Sequence, residues 1–322
     1  MPKRGIAPLL SLAPPEIRLV SRRLSVSLLL PERKSPRVRV IKSSLKERSG
    51  NFGESAVMST ASTNGISSLR KVEYLSPPAE VSMADRWFEV ASPEHFWIRR
   101  RLQVLQKLAG DLIACAGEIA EIGCGHGLLQ RQIEDTYGRE VTGFDLNEYA
   151  LHHNKSRRGS VVCYDIFQKN LILLSKFELI FLFDVLEHIK EEDSFLEATL
   201  FHLARKGKVI LNVPAGQWAY SAYDQAVGHV RRYSITTLRE TAARSNLHVQ
   251  AWSYWGLPLI PTLTLRKLWV WGRRDKAAII QSGFDSRSTL INGLLGVAAR
   301  CETIPQKLLG ASLMAILERM ET

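Results

Sequence analysis

A run of glycines, three aspartates and two histidines are the residues of this 322-residue chain whose types and spacing could do chemistry. The run is Glu121-Ile-Gly123-Cys-Gly125-His-Gly127. Glycine accepts backbone angles closed to other residues and lets a ligand approach the main chain. Asp145 lies 20 residues after Gly125, at the end of the next apolar run. A carboxylate at such a strand end can accept hydrogen bonds from ribose hydroxyls. Asp165 and Asp184 end two further apolar runs. His188 and His229 are suited to proton exchange near neutral pH. Glycine spacing separates two ligand classes. A dinucleotide site needs G-x-G-x-x-G, because a pyrophosphate sits on the following helix N-terminus. Here the third glycine comes one position early and Leu128 takes its place. The spacing G-x-G-x-G after an acid suits a ligand without a pyrophosphate, whose amino-acid portion lies over the turn. A tight ligand-free turn is the alternative for the loop, and simple capping is the alternative for Asp165 and Asp184.

The elements that must position these residues alternate along the chain. Residues 98–114 form an amphipathic helix by the spacing of Leu102, Leu105, Leu108 and Leu112. Strands are predicted at Ile119–Ile122, Val141–Phe144, Ser160–Cys163, Leu179–Phe183, Val209–Val213 and Leu247–Tyr254. Helices are predicted at Leu128–Ile133, Tyr149–Lys155, Glu191–Ala204 and Thr236–Arg244, the last capped by Ser234 or Thr236. Unbroken Val/Ile/Leu/Phe strands alternating with helices mean a parallel sheet covered on both faces. Ligands of such sheets bind beyond the strand carboxyl ends, where the three aspartates stand.

The charge is uneven. The net charge is +11, of which residues 1–80 carry +8 and the remainder +3. The excess therefore says little about nucleic-acid binding by the folded part, and none is expected. Residues 1–82 are predicted to be a basic, disordered extension, dispensable to folding. An upstream start codon, with Met58 or Met83 the true start, and a transit peptide are the alternatives. Leu28-Leu29-Leu30 is too short to span a membrane. The chain has four cysteines, widely spaced, which fits a reducing, cytoplasmic compartment and neither a zinc finger nor a disulfide scaffold.

With the glycine loop, Gly143-Phe-Asp145-Leu-Asn147 and Phe183-Asp184-Val-Leu-Glu187-His188 in order, the chain resembles the class I S-adenosylmethionine-dependent methyltransferases. The resemblance implies a doubly wound α/β, Rossmann-like sheet of seven strands over residues 83–322, and S-adenosylmethionine as cofactor. It implies that Gly123, Gly125 and Gly127 line the methionine part, with Glu121 near its ammonium. Asp145 would hold the ribose, with Leu146 beside it. Asp165 and Ile166 would meet the adenine, and Phe183, Asp184 and Arg101 would close the methionine end. A narrower resemblance, to a bacterial type 11/12/23 subgroup related to the quinone O-methyltransferases, rests on His95-Phe96-Trp97 with Arg101, on Val213-Pro214-Ala215, on Ser221 to Tyr233, and on Asn292 to Leu295, Glu302 and Gly310 to Leu313. It implies that Ser312 to Arg319 is the last strand, giving order 3-2-1-4-5-7-6. Periodicity alone predicts a helix there, since Leu313, Ile316 and Leu317 share a helical face.

Residues 257–309 would then be a helical, apolar insertion. The stretch from 252 to 271 holds four of the seven tryptophans, with basic residues between. That composition suits peripheral membrane contact through 257–271, an apolar acceptor, or a cap packed on the core. The acceptor would be a small molecule, lipid-linked compound or glycan, methylated at oxygen by subgroup resemblance. His229, with Asp224, is the preferred base or acceptor-binding residue, and His188 is a second candidate or a helix cap. No metal is assigned, although the spacing permits a divalent ion on Glu187, His188 and His229, as in some hydroxyl methyltransferases of this class. Arg231 and Arg232 would bind an anionic acceptor or stand solvated. The rivals are an NAD(P)-dependent oxidoreductase, disfavoured by the early third glycine, and a non-catalytic S-adenosylmethionine-binding module.

Overall fold

Seven apolar runs and one short polar one assemble, in a computed structural model, into a single eight-stranded sheet. The structure describes residues 71–79, 94–270, 279, 296–297 and 302–320. The strands are β1 (Glu73–Tyr74), β2 (Ile119–Ile122), β3 (Thr142–Asp145), β4 (Val161–Cys163), β5 (Phe177–Phe183), β6 (Leu203–Pro214), β7 (Leu247–Trp255) and β8 (Ser312–Arg319). Their order is β1-β4-β3-β2-β5-β6-β8-β7. Without β1 this is the expected order 3-2-1-4-5-7-6. Pairs from β1 to β6 are parallel, and β8 runs antiparallel to both its neighbours.

The helices are α1 (Phe96–Cys115), α2 (Leu128–Tyr137), α3 (Glu148–His152), α4 (Glu192–His202), α5 (Ala222–Val227), α6 (Ile235–Arg244) and α7 (Ile260–Val270). Local chemistry sets their starts. The His95 side chain accepts from the Trp97 amide at 3.2 Å, and Asn147 accepts from the Ala150 amide at 3.0 Å. Ser234, and not Thr236, caps α6 by accepting from the Thr237 amide at 3.1 Å. Both faces of the sheet are buried. Along β5, Ile180 and Leu182 meet Leu196 of α4 and Leu238 of α6. Leu179, Phe181 and Phe183 meet Val104 and Leu105 of α1 and Ile133 of α2. Each such side chain contributes roughly 1.5–3 kcal/mol on burial, so this central strand is firmly held.

Strand β8 shows why periodicity misleads at 312–319. Leu313, Ala315 and Leu317 join one core, and Met314 and Ile316 the other. A strand covered on both faces is apolar at every position, so its two-residue period vanishes from the sequence. The helical reading on Leu313, Ile316 and Leu317 is thereby corrected.

A second correction concerns the extension. Residues 73 and 74 pair with Val162 and Cys163, and Leu75 packs against the core. The Tyr74 hydroxyl donates to Glu148 Oε1 at 2.7 Å, and the Ala79 amide donates to the Leu146 carbonyl at 3.1 Å. A boundary at 82/83 therefore cuts through the sheet edge, and the stretch 71–79 belongs with the sheet. A strand of two residues, exposed on both, offers no pattern to read.

Of the expected insertion, 257–270 is described. A 3-10 turn at Leu257–Leu259 leads into α7. Buried Glu302 pins its start, accepting from the Gly256 and Leu257 amides at 2.9 Å each and from Arg100 at 3.2 Å. Residue 271 and most of 272–301, including Asn292 to Leu295, lie outside the described residues, as do 1–70, with Met58, and Met83. Among the described residues no helix is long and apolar enough to cross a membrane.

Candidate active site

The sheet reverses direction of growth between β2 and β5, which opens a crevice beyond their carboxyl ends. The glycine loop leaves β2 on one side of it. Gly123, Gly125 and Gly127 have φ of 75°, 51° and 72°. A Cβ on Gly123 would stand 2.5 Å from Val185 Cγ2, and one on Gly127 2.3 Å from Asn154 Oδ1. Conformation and space both demand glycine at these two positions.

Asp145 ends β3 and ties that loop down. Its Oδ2 accepts from the Gly125 amide at 2.7 Å, and its Oδ1 from the Leu146 and Asn147 amides at 2.8 and 2.9 Å. Burial raises its pKa, while these three amides act against the shift. Glu121, buried on β2, has Oε2 without a hydrogen-bond partner. Burial pushes its pKa up to about 8, with Arg101 only partly offsetting. A buried carboxylate held neutral beside a ligand loop fits an arriving cation, which would restore its charge.

At the end of β5, Asp184 adopts a left-handed φ of 56°. Its Oδ2 accepts from Arg101 at 2.6 Å and its Oδ1 from Asn212 Nδ2 at 2.7 Å. Asn212 Oδ1 in turn accepts from Trp255 Nε1 at 2.9 Å. Arg101 also lies 5.1 Å over the Phe183 ring. The network joins α1, β5, β6 and β7 behind the crevice and fixes Asp184 in place.

On the far side of β5, the 3-10 turn Leu186–His188 faces the loop after α5. The Val230 amide donates to the Glu187 carbonyl at 2.8 Å, which staples the two segments. Gly228, at φ 87°, turns the chain so that His229 points inward. Asp224 Oδ1 accepts from His229 Nδ1 at 3.0 Å and from Arg232 Nε at 2.7 Å. Burial alone would raise the Asp224 pKa. The His229 hydrogen bond and the Arg232 guanidinium hold it down to about 2. His188 meets the Gly228 carbonyl through Nδ1 at 3.2 Å, and its ring centroid is 4.7 Å from that of His229. Burial, with His229 beside it, pushes the His188 pKa down to about 4. Glu187 is 1% exposed, and neither of its carboxylate oxygens has a hydrogen-bond partner. Burial and the nearby Asp184 charge raise its pKa.

Most of the sequence-predicted residues thus converge on one crevice, Glu121, the glycines, Asp145 and Asp184 on one side and His188, Asp224 and His229 on the other. Asp165 is engaged locally. It caps the 3-10 turn Ile166–Gln168, accepting from the Phe167 amide at 3.0 Å, and its own amide donates to Ser76 Oγ at 2.6 Å. Ile166 is buried beside it. Both Arg231 and Arg232 are engaged by carboxylates of the chain, Arg231 half-buried and Arg232 buried. Arg231 pairs with Glu192, and buried Arg232 is held by Asp224 and the Ala215 carbonyl. His188 does not cap α4, whose N-cap is Glu191. Sequence reasoning did not give Asn212 and Ser76 a place. A lone asparagine inside the apolar strand 209–213 was the available signal for the first. Ser76 carried none.

A family described as methyltransferase domain matches residues 91–251, half of the chain. Among curated proteins none matches. Among solved structures, a SAM dependent methyltransferase from Archaeoglobus fulgidus is similar at 15% identity, over 73% of this chain and 100% of its own, with a TM-score of 0.46. A mitomycin 7-O-methyltransferase is similar at 12% identity, over 74% of this chain and 64% of its own, with a TM-score of 0.42. An O-methyltransferase from neocarzinostatin biosynthesis, in complex with S-adenosyl-L-homocysteine and 1,4-dihydroxy-2-naphthoic acid, is similar at 18% identity, over 52% of this chain and 57% of its own, with a TM-score of 0.36.

Proposed function

The chain belongs to the methyltransferase-domain family, and on that premise we propose that it transfers a methyl group from S-adenosylmethionine to an oxygen atom of a small-molecule, lipid-linked or glycan acceptor. The observation that carries the reading is Glu121, whose buried carboxyl keeps an unpartnered oxygen directly before the glycine loop. An α-ammonium is the cation that such a group would take up. When bound, S-adenosylmethionine supplies an electrophilic methyl on a sulfonium sulfur.

The protein's own residues then have separable tasks. Glu121 and the amides of the glycine loop receive the amino-acid end. Asp145, already braced by three amides, turns its remaining lone pairs to the ribose, with Leu146 alongside. Asp165 and Ile166 border the adenine. Arg101, Asp184 and Phe183 form the wall at the methionine end and keep water from it. Transfer from a good leaving group needs mainly in-line placement of the acceptor. A hydroxyl acceptor also has to give up its proton, and His229, Asp224 and His188 are the groups for that task. The ionised Asp224 fixes the proton of His229 on Nδ1, which leaves the Nε2 lone pair facing Glu187. An apolar portion of the acceptor would lie along α7, where Leu265 and Leu268 are each 65% exposed.

Calorimetry with S-adenosylhomocysteine on the full chain and on Asp145→Ala tests the cofactor half. Transfer of labelled methyl from S-adenosylmethionine to a panel of phenols, quinols and glycans tests the rest. Tight binding with label on oxygen is expected. Binding of NADH in place of S-adenosylhomocysteine, or label on nitrogen only, would overturn the reading.

A further inference from the structure

We infer that Arg266, on α7, receives an anionic group of the acceptor, for which a carboxylate is the matching chemistry. The inference rests on the methyl-transfer reading for what occupies the crevice, whereas the unmatched charge does not. Arg266 is half-buried, and its guanidinium carbon stands 4.1 Å from the centroid of the Tyr223 ring. Tyr223 is 5% exposed and directly precedes Asp224, the partner of His229. Burial raises the Tyr223 pKa, with Arg266 opposing the shift and Asp224 and Asp184 adding to it. The ring therefore lies among the charges of the crevice, with Arg266 over it.

The charges around that ring leave one cation unmatched. Asp184 is met by Arg101 at 2.6 Å. Asp224 has no capacity left. Its Oδ1 accepts from His229 and Arg232, and its Oδ2 from the Ser221 amide at 2.9 Å and the Ser221 hydroxyl at 3.2 Å. Burial raises the pKa of Glu187 and favours its neutral form. Among the described residues Arg266 makes no hydrogen bond or ion pair, and the face of Tyr223 is what holds its charge. A guanidinium has five donors in a planar fork, and keeping them unpaired away from water is costly. Burial accordingly lowers the Arg266 pKa, with Arg232 adding to the shift and Tyr223 and Asp224 opposing it. A carboxylate meets such a fork through two parallel hydrogen bonds.

The neighbouring basic side chains are already engaged. Arg231 pairs with Glu192 and Arg232 with Asp224, while Lys267 donates to the Trp218 carbonyl. The anionic-acceptor role expected of Arg231 and Arg232 thus passes to Arg266. An acceptor whose hydroxyl meets His229 would turn its charge towards α7. Arg266 then decides which acceptors are taken and leaves the chemical step to other groups.

The test compares matched acids and amides on the full chain, with and without S-adenosylhomocysteine. Meta- and para-hydroxybenzoate are titrated by calorimetry beside the two hydroxybenzamides, which keep ring and hydroxyl and lack the charge. The acids are expected to bind on the order of 10- to 150-fold more tightly. Arg266→Gln should abolish that preference and leave S-adenosylhomocysteine affinity unchanged. Arg266→Lys should keep part of it, and Lys267→Gln, on the same helix, should keep all of it. In methyl transfer Arg266→Gln should raise KM for the acids with kcat nearly constant, a split that a loosened fold does not produce. Equal binding of acid and amide, binding of neither, or an undiminished preference in folded Arg266→Gln overturns the receptor. A preference for the acids in a protein that binds no S-adenosylhomocysteine would sustain the receptor and break the cofactor reading. Transfer to acid and amide with equal efficiency would break the receptor alone.

Discussion

The two halves of the crevice are built differently. The half proposed for the cofactor centres on main chain, with three left-handed glycines and a carboxylate tied to three amides within 27 residues of sequence, and the side chains of Arg101 and Asp184 close it from elsewhere in the chain. The half proposed for the acceptor is made of side chains from segments some forty residues apart, brought together by the Val230–Glu187 backbone bond and the Gly228 turn. A main-chain site varies little with side-chain substitution and suits a constant ligand. A side-chain site on loops can be re-specified one residue at a time and suits a variable one. Loss of function should therefore separate cleanly between them.

The sharpest separation is expected at His229. His229→Ala should lower turnover by about 10²- to 10⁴-fold while S-adenosylhomocysteine affinity stays within about twofold. A comparable loss of affinity by calorimetry would merge the two halves. Asp145→Ala is the mirror case. Hydrogen bonds to a charged carboxylate contribute roughly 1.5–3 kcal/mol, so affinity should fall on the order of 10- to 150-fold. Unchanged affinity in a folded variant would remove Asp145 from the ligand's reach.

Glu121 gives a pH signature confined to the cofactor half. Its pKa of about 8 lies well above that of an ordinary glutamate, so the free protein carries a proton there at neutral pH. A cationic ligand needs the ionised form, and binding releases that proton. Affinity should rise with pH, on the order of tenfold between pH 6 and 7.5, and the rise should vanish in Glu121→Gln. The unliganded fold has the opposite pH dependence, since a raised acid contributes stability at low pH that is lost as pH climbs from about 4 towards 8. The smallest expected effect lies at the sheet edge. A chain beginning at residue 83 should lose about 1–2 kcal/mol relative to one beginning at 71, a drop of roughly 2–8 °C in melting temperature. Equal melting of the two would show that β1 adds nothing.

The same contrast decides what was legible in the sequence. The glycine loop, Asp145 and Asp184 could be placed because turn chemistry and strand ends are local. Ser234 was legible as a cap for the same reason. Strand β8 could not be placed by periodicity, because burial on both faces erases the alternation. The stretch 71–79 was missed because two exposed residues carry no pattern, although Ser76 reaches Asp165 from it. The acceptor half was legible only as a list of residue types. Nothing local reveals that Arg232 serves Asp224 and not an anion, or that the Glu187 carboxylate oxygens lack hydrogen-bond partners. Those facts follow from which loops the sheet brings together.

The position of β8 has a consequence for how the chain is made. It is the last of the eight described strands in chain order, yet it fills the gap between β6 and β7, pairing with both. Until residues 312–319 emerge, each of those strands has an unpaired edge, an invitation to wrong partners. Completion of the sheet therefore waits on residues 312–319, whatever the rest of the chain has already built. A chain stopped even ten residues before 319 would hold the whole cofactor motif and still leave β6 with an open edge and β7 without a partner, to be met by a chaperone or by a second copy.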